Sequence, residues 1–442
     1  MNKMDNLLLE LPKDIQAALK VLNFKELTPV QTQVLPIALQ GENLMVQSHT
    51  GTGKTHAFLL PIFQKIDREK DEVQVVITAP SRELADQIYQ AANQLNNYLE
   101  EPVSIVCYVG GTDKQRQIER LSPKNQPQMV IGTPGRIFDL MFENALHVQT
   151  TRIFVVDEAD MTLDLGFLPI VDEIASRMPQ DLQMMVFSAT IPQEIQVFLN
   201  KYMPAMNVIR LNPGEVISSN ITNYLINVRG RDKLALLHEL LTIGQPYLVL
   251  IFANTIEYVD EIHRYLMQQG MKVAKIHGDI SSRERKRVMR QIRNMDYQFV
   301  VATDLAARGI DIPGTSMIVN MEIPTDLNFF VHRIGRTGRH NLSGEAYTLI
   351  APDDMDDIDS LRSRGIPFEW IDIVQGDFKA IDSKPGPVNT TVSPQYRDDK
   401  EINRIINQTH KKKVKPGYKR KMKEQIKSRQ QHLRRQKNNK KR

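Results

Sequence analysis

The feature that most constrains this chain is a glycine-rich turn at residues 48–55, SHTGTGKT, which ends in Lys54 and Thr55. Backbone N–H groups of such a turn can surround phosphates, the lysine can reach the β- and γ-phosphates, and the threonine hydroxyl can hold Mg²⁺. Apolar residues 44–46 before the turn predict a strand, and residues 57–66 after it have helical composition. The turn therefore predicts a nucleoside triphosphate site, although its first residue is serine where the strict pattern has glycine.

A pair of carboxylates follows a second predicted strand. Asp157 and Glu158 come directly after the apolar run 153–156. In an open α/β sheet, ligands bind at the carboxyl ends of the strands. Asp157 is thus expected to bind the metal, and Glu158 to orient or deprotonate the attacking water. Because the chain contains both this carboxylate pair and the glycine-rich turn, a Gly-Lys-Thr sequence that arose by chance is a poor explanation. The two motifs together predict hydrolysis of a nucleoside triphosphate.

The composition describes an ordinary soluble protein. The chain has 442 residues, 41% hydrophobic and 25% charged, which leaves room for about two or three domains. No apolar run approaches the ~20 residues of a membrane span, and the N-terminal residues do not have the pattern of a secretory signal. Cys107 is the only cysteine, which excludes an intrachain disulfide and a cysteine-based zinc site. We therefore expect a cytoplasmic protein without a membrane contact.

Charge is distributed unevenly along the chain. Residues 411–442 contain sixteen Lys or Arg and one acid, a net charge of +15. The remaining 410 residues carry 41 Lys or Arg and 51 Asp or Glu, a net charge of −10. The basic tail is too charged to bury a core, so we expect it to be disordered when free and to bind RNA or the ribosome. A solubilising or degradation-prone tail is the alternative.

Strand-like and helical segments alternate twice along the chain. This alternation predicts an α/β protein with two tandem domains, each built on a mostly parallel sheet. The predicted parts are an ATP-binding domain at 1–209, a linker at 210–222, a second domain at 223–372 and a basic extension at 373–442. The second half contains no further Gly-x-Gly-Lys-Thr. A single nucleotide site, completed from across a cleft, is therefore expected.

Ten sequence blocks in a fixed order carry a family resemblance. They are Phe24 with Thr28-Pro-Val-Gln31, Pro80-Ser-Arg-Glu-Leu84, Gly110-Gly111, Thr133-Pro-Gly-Arg136, Asp157-Glu-Ala-Asp160, Ser188-Ala-Thr190, Ile251-Phe252, His277-Gly-Asp279, 302–311 (ATDLAARGID) and 332–339 (HRIGRTGR). This set closely resembles the DEAD-box RNA helicases of superfamily 2, and the length and basic tail are similar to bacterial cold-shock members. The resemblance implies two RecA-like domains that close over ATP and single-stranded RNA.

The resemblance also implies roles at the nucleotide. Nucleotide contacts are assigned to Phe24, Gln31, Thr50, Gly51, Thr52, Gly53, Lys54, Thr55, Asp157, Gly309 and Asp311; Mg²⁺ contacts to Thr55 and Asp157; and catalysis to Lys54, Glu158, Arg336 and Arg339. An amide such as that of Gln31 can donate and accept together, which suits an adenine edge. Taken alone, Gln31 is better explained as an ordinary N-cap or surface residue, and the two arginines as a solvated basic face.

Further roles concern RNA and the coupling of RNA to the nucleotide. Coupling is assigned to Asp160, Ser188, Thr190 and His332, and RNA contact to Ser81, Arg82, Gly110, Gly111, Thr133, Arg136, Thr255, Thr303 and Asp304. These residue types suit sugar–phosphate contact more than base edges, so little sequence preference is expected. Two departures from the family pattern stand out. Residues 6–8 lack a usual aromatic, and Ser282 replaces a frequent glutamine.

The main interpretation is an ATP-dependent RNA helicase that acts locally on short duplexes as a monomer. An ATP-gated RNA clamp with slow hydrolysis uses the same residues, and only an unwinding assay separates the two. A DNA helicase ranks third, because those enzymes usually depart from the Asp-Glu-Ala-Asp and Ser-Ala-Thr pattern. Cold adaptation, ribosome assembly and RNA decay are all compatible with the sequence.

Overall fold

The computed structural model describes residues 11–381, apart from residues 25, 50, 123–124, 212–216, 245, 305–311, 313, 339–342 and 375 and the side chain of Ser282. The predicted contacts at Thr50, Gly309, Asp311 and Arg339 lie outside the described residues, as do the basic tail and residues 6–8. Within the described ranges, no helix is long and apolar enough to cross a membrane.

The first domain is built on a seven-stranded parallel sheet of order β3-β4-β2-β5-β6-β1-β7. Its strands are β1 Asn43–Gln47, β2 Val75–Thr78, β3 Ile105–Tyr108, β4 Met129–Gly132, β5 Ile153–Val156, β6 Gln183–Ser188 and β7 Met206–Arg210. Its helices are α1 Lys13–Val21, α2 Pro29–Leu39, α3 Lys54–Lys65, α4 Arg82–Asn96, α5 Lys114–Arg120, α6 Pro134–Phe142, α7 Ala159–Asp164, α8 Leu168–Ser176 and α9 Gln193–Tyr202.

Both faces of this sheet are covered by helices, which explains why its central strands are mostly apolar. Val75 and Ile77 of β2 point into a core shared with α1 to α4, whereas Val76 points into a second core shared with α6, α8 and α9. All residues of β2, β4, β5 and β6 are buried. The alternation of side chains along each strand therefore supplies two cores from one sheet.

The second domain is built on an eight-stranded sheet of order β10-β11-β9-β12-β13-β8-β14-β15, in which only the β14–β15 pair is antiparallel. Its strands are β8 Ile221–Asn227, β9 Leu248–Ala253, β10 Val273–Ile276, β11 Phe299–Thr303, β12 Thr315–Asn320, β13 Gly344–Ile350, β14 Glu369–Val374 and β15 Asp377–Ala380. Its described helices are α10 Lys233–Thr242, α11 Ile256–Gln268, α12 Ser282–Arg293, α13 Asn328–Ile334, α14 Met355–Ser363 and a 3₁₀ turn at Pro352–Asp354.

This sheet is again covered on both faces. Leu250 and Phe252 of β9 pack into a core with α12, α13 and α14, and Val249 and Ile251 pack into a core with α10 and α11. Two parallel α/β sheets with helices on both faces are the fold class that the sequence predicted, and this prediction is confirmed.

The structure differs from the sequence expectations at the ends of the second domain. The stretch predicted as a linker, 210–222, includes the last residue of β7 and the first two residues of β8. The predicted boundary at residue 372 falls inside β14, and β15 extends the sheet to Ala380. Polar residues explain the difference. Asp372 interrupts the apolar pattern of β14, where it accepts hydrogen bonds from Arg229 and Arg231 at 2.9 and 2.7 Å, and all of β15 is exposed.

Gly132, at the end of β4, lies in close contact with the neighbouring strand β3. A Cβ atom at this position would lie 2.2 Å from the carbonyl oxygen of Tyr108 on β3. We expect Gly132→Ala to lower the free energy of unfolding by about 1–3 kcal/mol, measured by urea denaturation. Gly135→Ala is the control, because nothing lies within 4 Å of its Cβ and alanine favours the helix. Equal stability of the two variants would contradict the packing argument.

Candidate nucleotide and RNA site

Strand order brings the predicted catalytic blocks together. In the first sheet β5, β6 and β1 are consecutive neighbours, and parallel strands present their carboxyl ends at one edge. The glycine-rich turn follows β1, Asp157 follows β5, and Ser188 ends β6. The Ser48 N–H continues the ladder by donating to the Ser188 carbonyl at 3.0 Å. Segments that are distant in sequence thus form one site.

The turn takes a conformation that requires glycine at two positions. Gly51 and Gly53 have φ values of 81° and 95°, in the left-handed region. Gly53 also lies against its surroundings, since a Cβ there would be 2.8 Å from Gln31 Nε2 and 2.9 Å from Thr28 Oγ1. Helix α3 begins at the next residue, Lys54, with its N-terminus at the turn. This is the geometry of an anion-binding site.

Gln31 links the turn to helix α2. Its Oε1 accepts from the Thr28 N–H at 2.9 Å, and its Nε2 donates to the Gly53 carbonyl at 3.1 Å. The side chain therefore acts as a helix cap, and also holds the turn. Phe24 packs edge-on against the His56 ring of α3, with centroids 4.8 Å apart. Gln31 and Phe24, both predicted to contact the nucleotide, thus lie beside the turn.

A buried ion pair occupies the centre of the site. Lys54 Nζ lies 2.8 Å from Glu158 Oε1, and the two side chains are 6% and 5% exposed. The Lys54 ammonium also donates to the Ser48 carbonyl at 3.4 Å. Glu158 has φ 48°, a left-handed conformation that is unusual for a residue with a side chain. The tight passage from β5 into α7 places its carboxylate against the turn.

This environment shifts the pKa values of the two carboxyl groups after β5 in opposite directions. Burial and then the charge of Glu158 raise the pKa of Asp157 to about 7. Burial also opposes ionisation of Glu158, but the Lys54 ammonium outweighs it, so the pKa of Glu158 is lowered. The environment therefore favours the charged form of Glu158 more than that of Asp157. A cation beside Asp157 would be needed to keep that carboxyl charged.

Buried oxygen atoms without partners and nearby oxygen donors make the site suitable for a nucleotide with a divalent cation. Glu158 Oε2 and Thr28 Oγ1 are buried and have no hydrogen-bond partner, which is costly unless a ligand or water supplies one. Thr52 is held in the turn, where its Oγ1 donates to the His49 carbonyl at 3.1 Å. Thr55 and Asp157 are the oxygen donors that a small hard cation prefers.

Asp160 connects the nucleotide site to the segment after β6. Its Oδ2 accepts hydrogen bonds from the N–H groups of Ala189 and Thr190 and from the Thr190 hydroxyl, at 3.1, 2.8 and 3.1 Å. The Asp160 N–H donates to Ser188 Oγ at 3.0 Å, and that hydroxyl donates to the Thr190 carbonyl at 2.6 Å. Three of the four predicted coupling residues thus form one hydrogen-bond network.

The second domain contributes cations to the same site. The charges of His332 and Arg336 help to lower the pKa of Glu158, after the larger effects of burial and Lys54. His332 Nε2 lies 3.7 Å from Asp164 Oδ2 at the end of α7. Arg336 is 5% exposed, and its Nε donates to the His332 carbonyl at 3.1 Å. Both residues are therefore held on the side of the second domain that faces Glu158.

The predicted RNA contacts of the first domain lie at helix starts and turns. Ser81 caps α4, where its Oγ accepts from the Leu84 N–H at 3.2 Å, and Thr133 is the N-cap residue of α6. A Cβ at Gly110 would be 3.4 Å from the Arg82 guanidinium, so two separate blocks meet. Gly111 has φ 75°.

Arg136, another predicted RNA contact, is directed into the protein. It is 9% exposed, and its guanidinium donates to the Thr112 hydroxyl and carbonyl at 3.1 and 3.0 Å and to Gln117. These bonds fix the segment that follows Gly110-Gly111. The geometry thus favours a supporting role for Arg136 beside the groove.

In the second domain, the predicted RNA contacts surround a buried arginine that sequence reasoning missed. Arg333 is 2% exposed and binds both carboxylate oxygens of Asp304. It also donates to the Glu322 carbonyl and to Asn254 Oδ1 at 2.6 and 2.7 Å. Thr303 is 8% exposed at the end of β11, and Thr255 caps α11, where its Oγ1 accepts from the Tyr258 N–H at 3.2 Å.

A second contact missed by sequence reasoning joins the two domains. Arg285 on α12 forms an ion pair with Glu83 on α4. Glu83 is adjacent to the predicted RNA contacts Ser81 and Arg82. The only sequence signal was the strong positive charge of residues 282–293, which by itself also fits a solvated helix face.

Comparison with known proteins agrees with this geometry. The family model for the DEAD/DEAH box helicase matches residues 28–198, and that for the helicase conserved C-terminal domain matches residues 232–341. The DEAD-box ATP-dependent RNA helicase CshB of Listeria monocytogenes is 48% identical over 92% of this chain and 93% of its own length. The chain belongs to the DEAD-box ATP-dependent RNA helicases. CshB of Bacillus subtilis is 47% identical, with 94% of each chain covered.

Two solved structures have the same fold as this DEAD-box helicase. S. cerevisiae Dbp5 bound to RNA and ADP BeF3 aligns with a TM-score of 0.75 and 29% identity, over 83% of this chain and 95% of that one. Mss116p bound to ssRNA and AMP-PNP aligns with a TM-score of 0.73 and 28% identity, over 83% and 79% of the two chains. The predicted family and its two RecA-like domains are therefore confirmed.

The Lys54–Glu158 pair leads to a stability prediction. Lys54→Met leaves a buried carboxylate without its partner, and we expect a loss of about 3–5 kcal/mol in the free energy of unfolding. Adding Glu158→Gln to that variant should recover part of the loss, as a double-mutant cycle in denaturant would show. The exposed pair Lys114–Glu143, at 3.0 Å, is the control, and Lys114→Met should cost at most about 1 kcal/mol. Similar losses in both lysine variants would contradict the assignment.

Proposed function

We propose that this helicase couples RNA-stimulated ATP hydrolysis to local separation of short RNA duplexes. The observation that carries the proposal is the buried Lys54–Glu158 pair of the first domain, faced by His332 and Arg336 of the second. A site assembled from both domains responds to closure. Binding of RNA across the domains therefore controls hydrolysis.

The residues of the turn receive the phosphates. N–H groups at Gly51, Thr52 and Gly53 bind phosphate oxygens, and Lys54 turns from Glu158 to the β- and γ-phosphates. Thr55 and Asp157 hold Mg²⁺, which when bound neutralises charge on the phosphates. Release of Lys54 frees the Glu158 carboxylate to orient the attacking water and accept its proton. Gln31 and Phe24 position the adenine.

Arg336, and by resemblance Arg339, stabilise the charge that develops on the γ-phosphate. An arginine brought to this position is worth ~10³-fold or more in rate. The charge of Arg336 helps to lower the pKa of Glu158, which supports this role. The Asp160 network with Ser188 and Thr190 then relates the state of the nucleotide to the segment after β6.

RNA binds by its backbone along the surface that contains Ser81, Arg82, Gly110 and Gly111, together with Thr255 and Thr303. Hydroxyls, glycine N–H groups and arginine suit phosphates and carry little sequence information. A groove that holds one bent strand does not accommodate a regular duplex, so closure separates the strands locally. We further propose a monomer in the cytoplasm, with an ATP-binding domain, a short linker, a second helicase domain and a basic extension that binds RNA or ribosomal RNA.

Glu158 provides the direct test of this function. In Glu158→Gln, the side chain can no longer take up a proton, and we expect RNA-stimulated ATP turnover to fall by about 10²-fold or more, while ATP binding remains. Glu173→Gln, an exposed acid on α8 of the same domain, should match the wild type. Undiminished turnover in Glu158→Gln, or a wild-type ATPase that ignores RNA, would refute the proposal.

The role of the basic tail has a separate test. A chain ending at Thr409 should retain RNA-stimulated ATP hydrolysis, because the described site lies before that residue. Its apparent affinity for RNA should be weaker and its dependence on salt shallower, since fewer cations neutralise phosphates. Titration of ATPase activity with RNA at several salt concentrations measures both. Unchanged affinity would show that the tail does not contact RNA.

A further inference from the structure

Helix α12 concentrates positive charge in an acidic part of the chain. Residues 1–410 have a net charge of −10, yet the 12 residues of α12 include a single acid, Glu284, and six cations: Arg283, Arg285, Lys286, Arg287, Arg290 and Arg293. None of these six residues was among the predicted sites. The concentration of charge needs a physical account.

The helix has one apolar face and one basic face. Met289 and Ile292 are 6% and 0% exposed and pack into the core of the second domain. Arg283, Arg287 and Arg290 are exposed, and their spacing of four and three residues places them on one face, opposite those two side chains. These three residues form the arginine stripe. At 1.5 Å per residue, the stripe is about 10 Å long.

Little of this charge is neutralised locally. Within the part of the chain that the structure describes, the stripe has one ion pair, between Arg287 and Glu284 at 3.6 Å. Those side chains are 63% and 50% exposed, and exposed pairs of this kind contribute little. The stripe therefore presents a row of cations to solvent, a surface suited to a polyanion.

The position of α12 relates the stripe to the candidate RNA groove. Arg285, on the inner side of the helix, pairs with Glu83, which is adjacent to Ser81 and Arg82. Burial raises the pKa of Cys107 on β3 to about 12, and the charge of Lys286 partly opposes this rise. The N-terminal half of α12 thus lies against the first domain, close to the predicted RNA contacts Ser81 and Arg82.

We propose that the arginine stripe binds the phosphate backbone of RNA that continues beyond the groove. This inference rests on the proposed function, because it assumes that RNA occupies the groove. Phosphates of one strand are at least about 3.4 Å apart along its axis, so a 10 Å stripe can contact up to about three of them. Arginine suits this task, since its planar fork matches phosphate oxygens. The contact adds affinity for long RNA without reading sequence.

Equilibrium binding to two RNAs tests the proposal. The full chain, with a non-hydrolysable ATP analogue, is titrated against oligouridylates of about 6 and about 20 nucleotides over a range of salt. In Arg283→Ala/Arg287→Ala/Arg290→Ala, we expect the long RNA to bind about tenfold more weakly at low salt. The slope of log affinity against log salt should fall by about 2, or ~0.7 for each lost contact. Binding of the short RNA should change less than twofold.

Two further variants complete the design. Lys20→Ala/Arg177→Ala/Arg264→Ala removes three exposed cations elsewhere and should leave both affinities unchanged. Replacement of the stripe by three lysines keeps the charge and should retain most of the salt slope. The basic tail is the same in every variant, so its contribution cancels. Melting temperatures within a few degrees of the wild type, expected for exposed positions, show that the variants fold.

The possible outcomes separate this inference from the proposed function. Equal binding by the stripe and control variants would overturn the inference and leave the stripe as a solvated face or a surface for another macromolecule. Equal losses on both RNAs would place the stripe inside the groove, which also overturns it. If the wild type binds neither RNA, the proposed function itself fails. Selective loss of the long RNA supports the arginine stripe as an outer RNA track.

Discussion

Parallel strand pairing is the constraint on which the site depends. Because β5, β6 and β1 are consecutive neighbours, their carboxyl ends bring Asp157, Ser188 and the glycine-rich turn to one edge. The buried Lys54–Glu158 contact then fixes the turn against the end of β5. The ammonium and the carboxylate bind one another, so the pair keeps the site assembled and favours the ionised form of Glu158. In the proposed mechanism, phosphates bind the same lysine, and their arrival releases the carboxylate.

Much of this arrangement follows from sequence, because short motifs at strand ends encode both a fold position and a chemistry. Lys54, Thr55, Asp157 and Glu158 belong to patterns whose local geometry requires those residue types, and the apolar runs before them are fully buried strands. The family resemblance extended the assignment to Asp160, Ser188 and Thr190, which lie in one hydrogen-bond network.

Other parts of the site could not be predicted, because they depend on contacts between distant segments. Arg136 has the residue type of a phosphate contact, but tertiary packing turns it to Thr112 and Gln117. The ion pair between Arg285 and Glu83 joins residues that are 202 positions apart, and nothing local indicates it. The predicted domain boundary at residue 372 falls inside β14, where Asp372 interrupts the apolar pattern and two arginines compensate its charge.

The bidentate contact between Arg333 and Asp304 has a consequence for the surface that surrounds it. Asp304 follows β11 at the edge where RNA is proposed to bind, and an uncompensated carboxylate there would repel a polyanion over roughly the Debye length, about 8 Å in physiological salt. The buried guanidinium of Arg333 compensates the negative charge of Asp304. Asp304 therefore adds no net negative charge to this edge of the second sheet. Hydroxyl and backbone donors at the edge can approach phosphates without repulsion from its carboxylate.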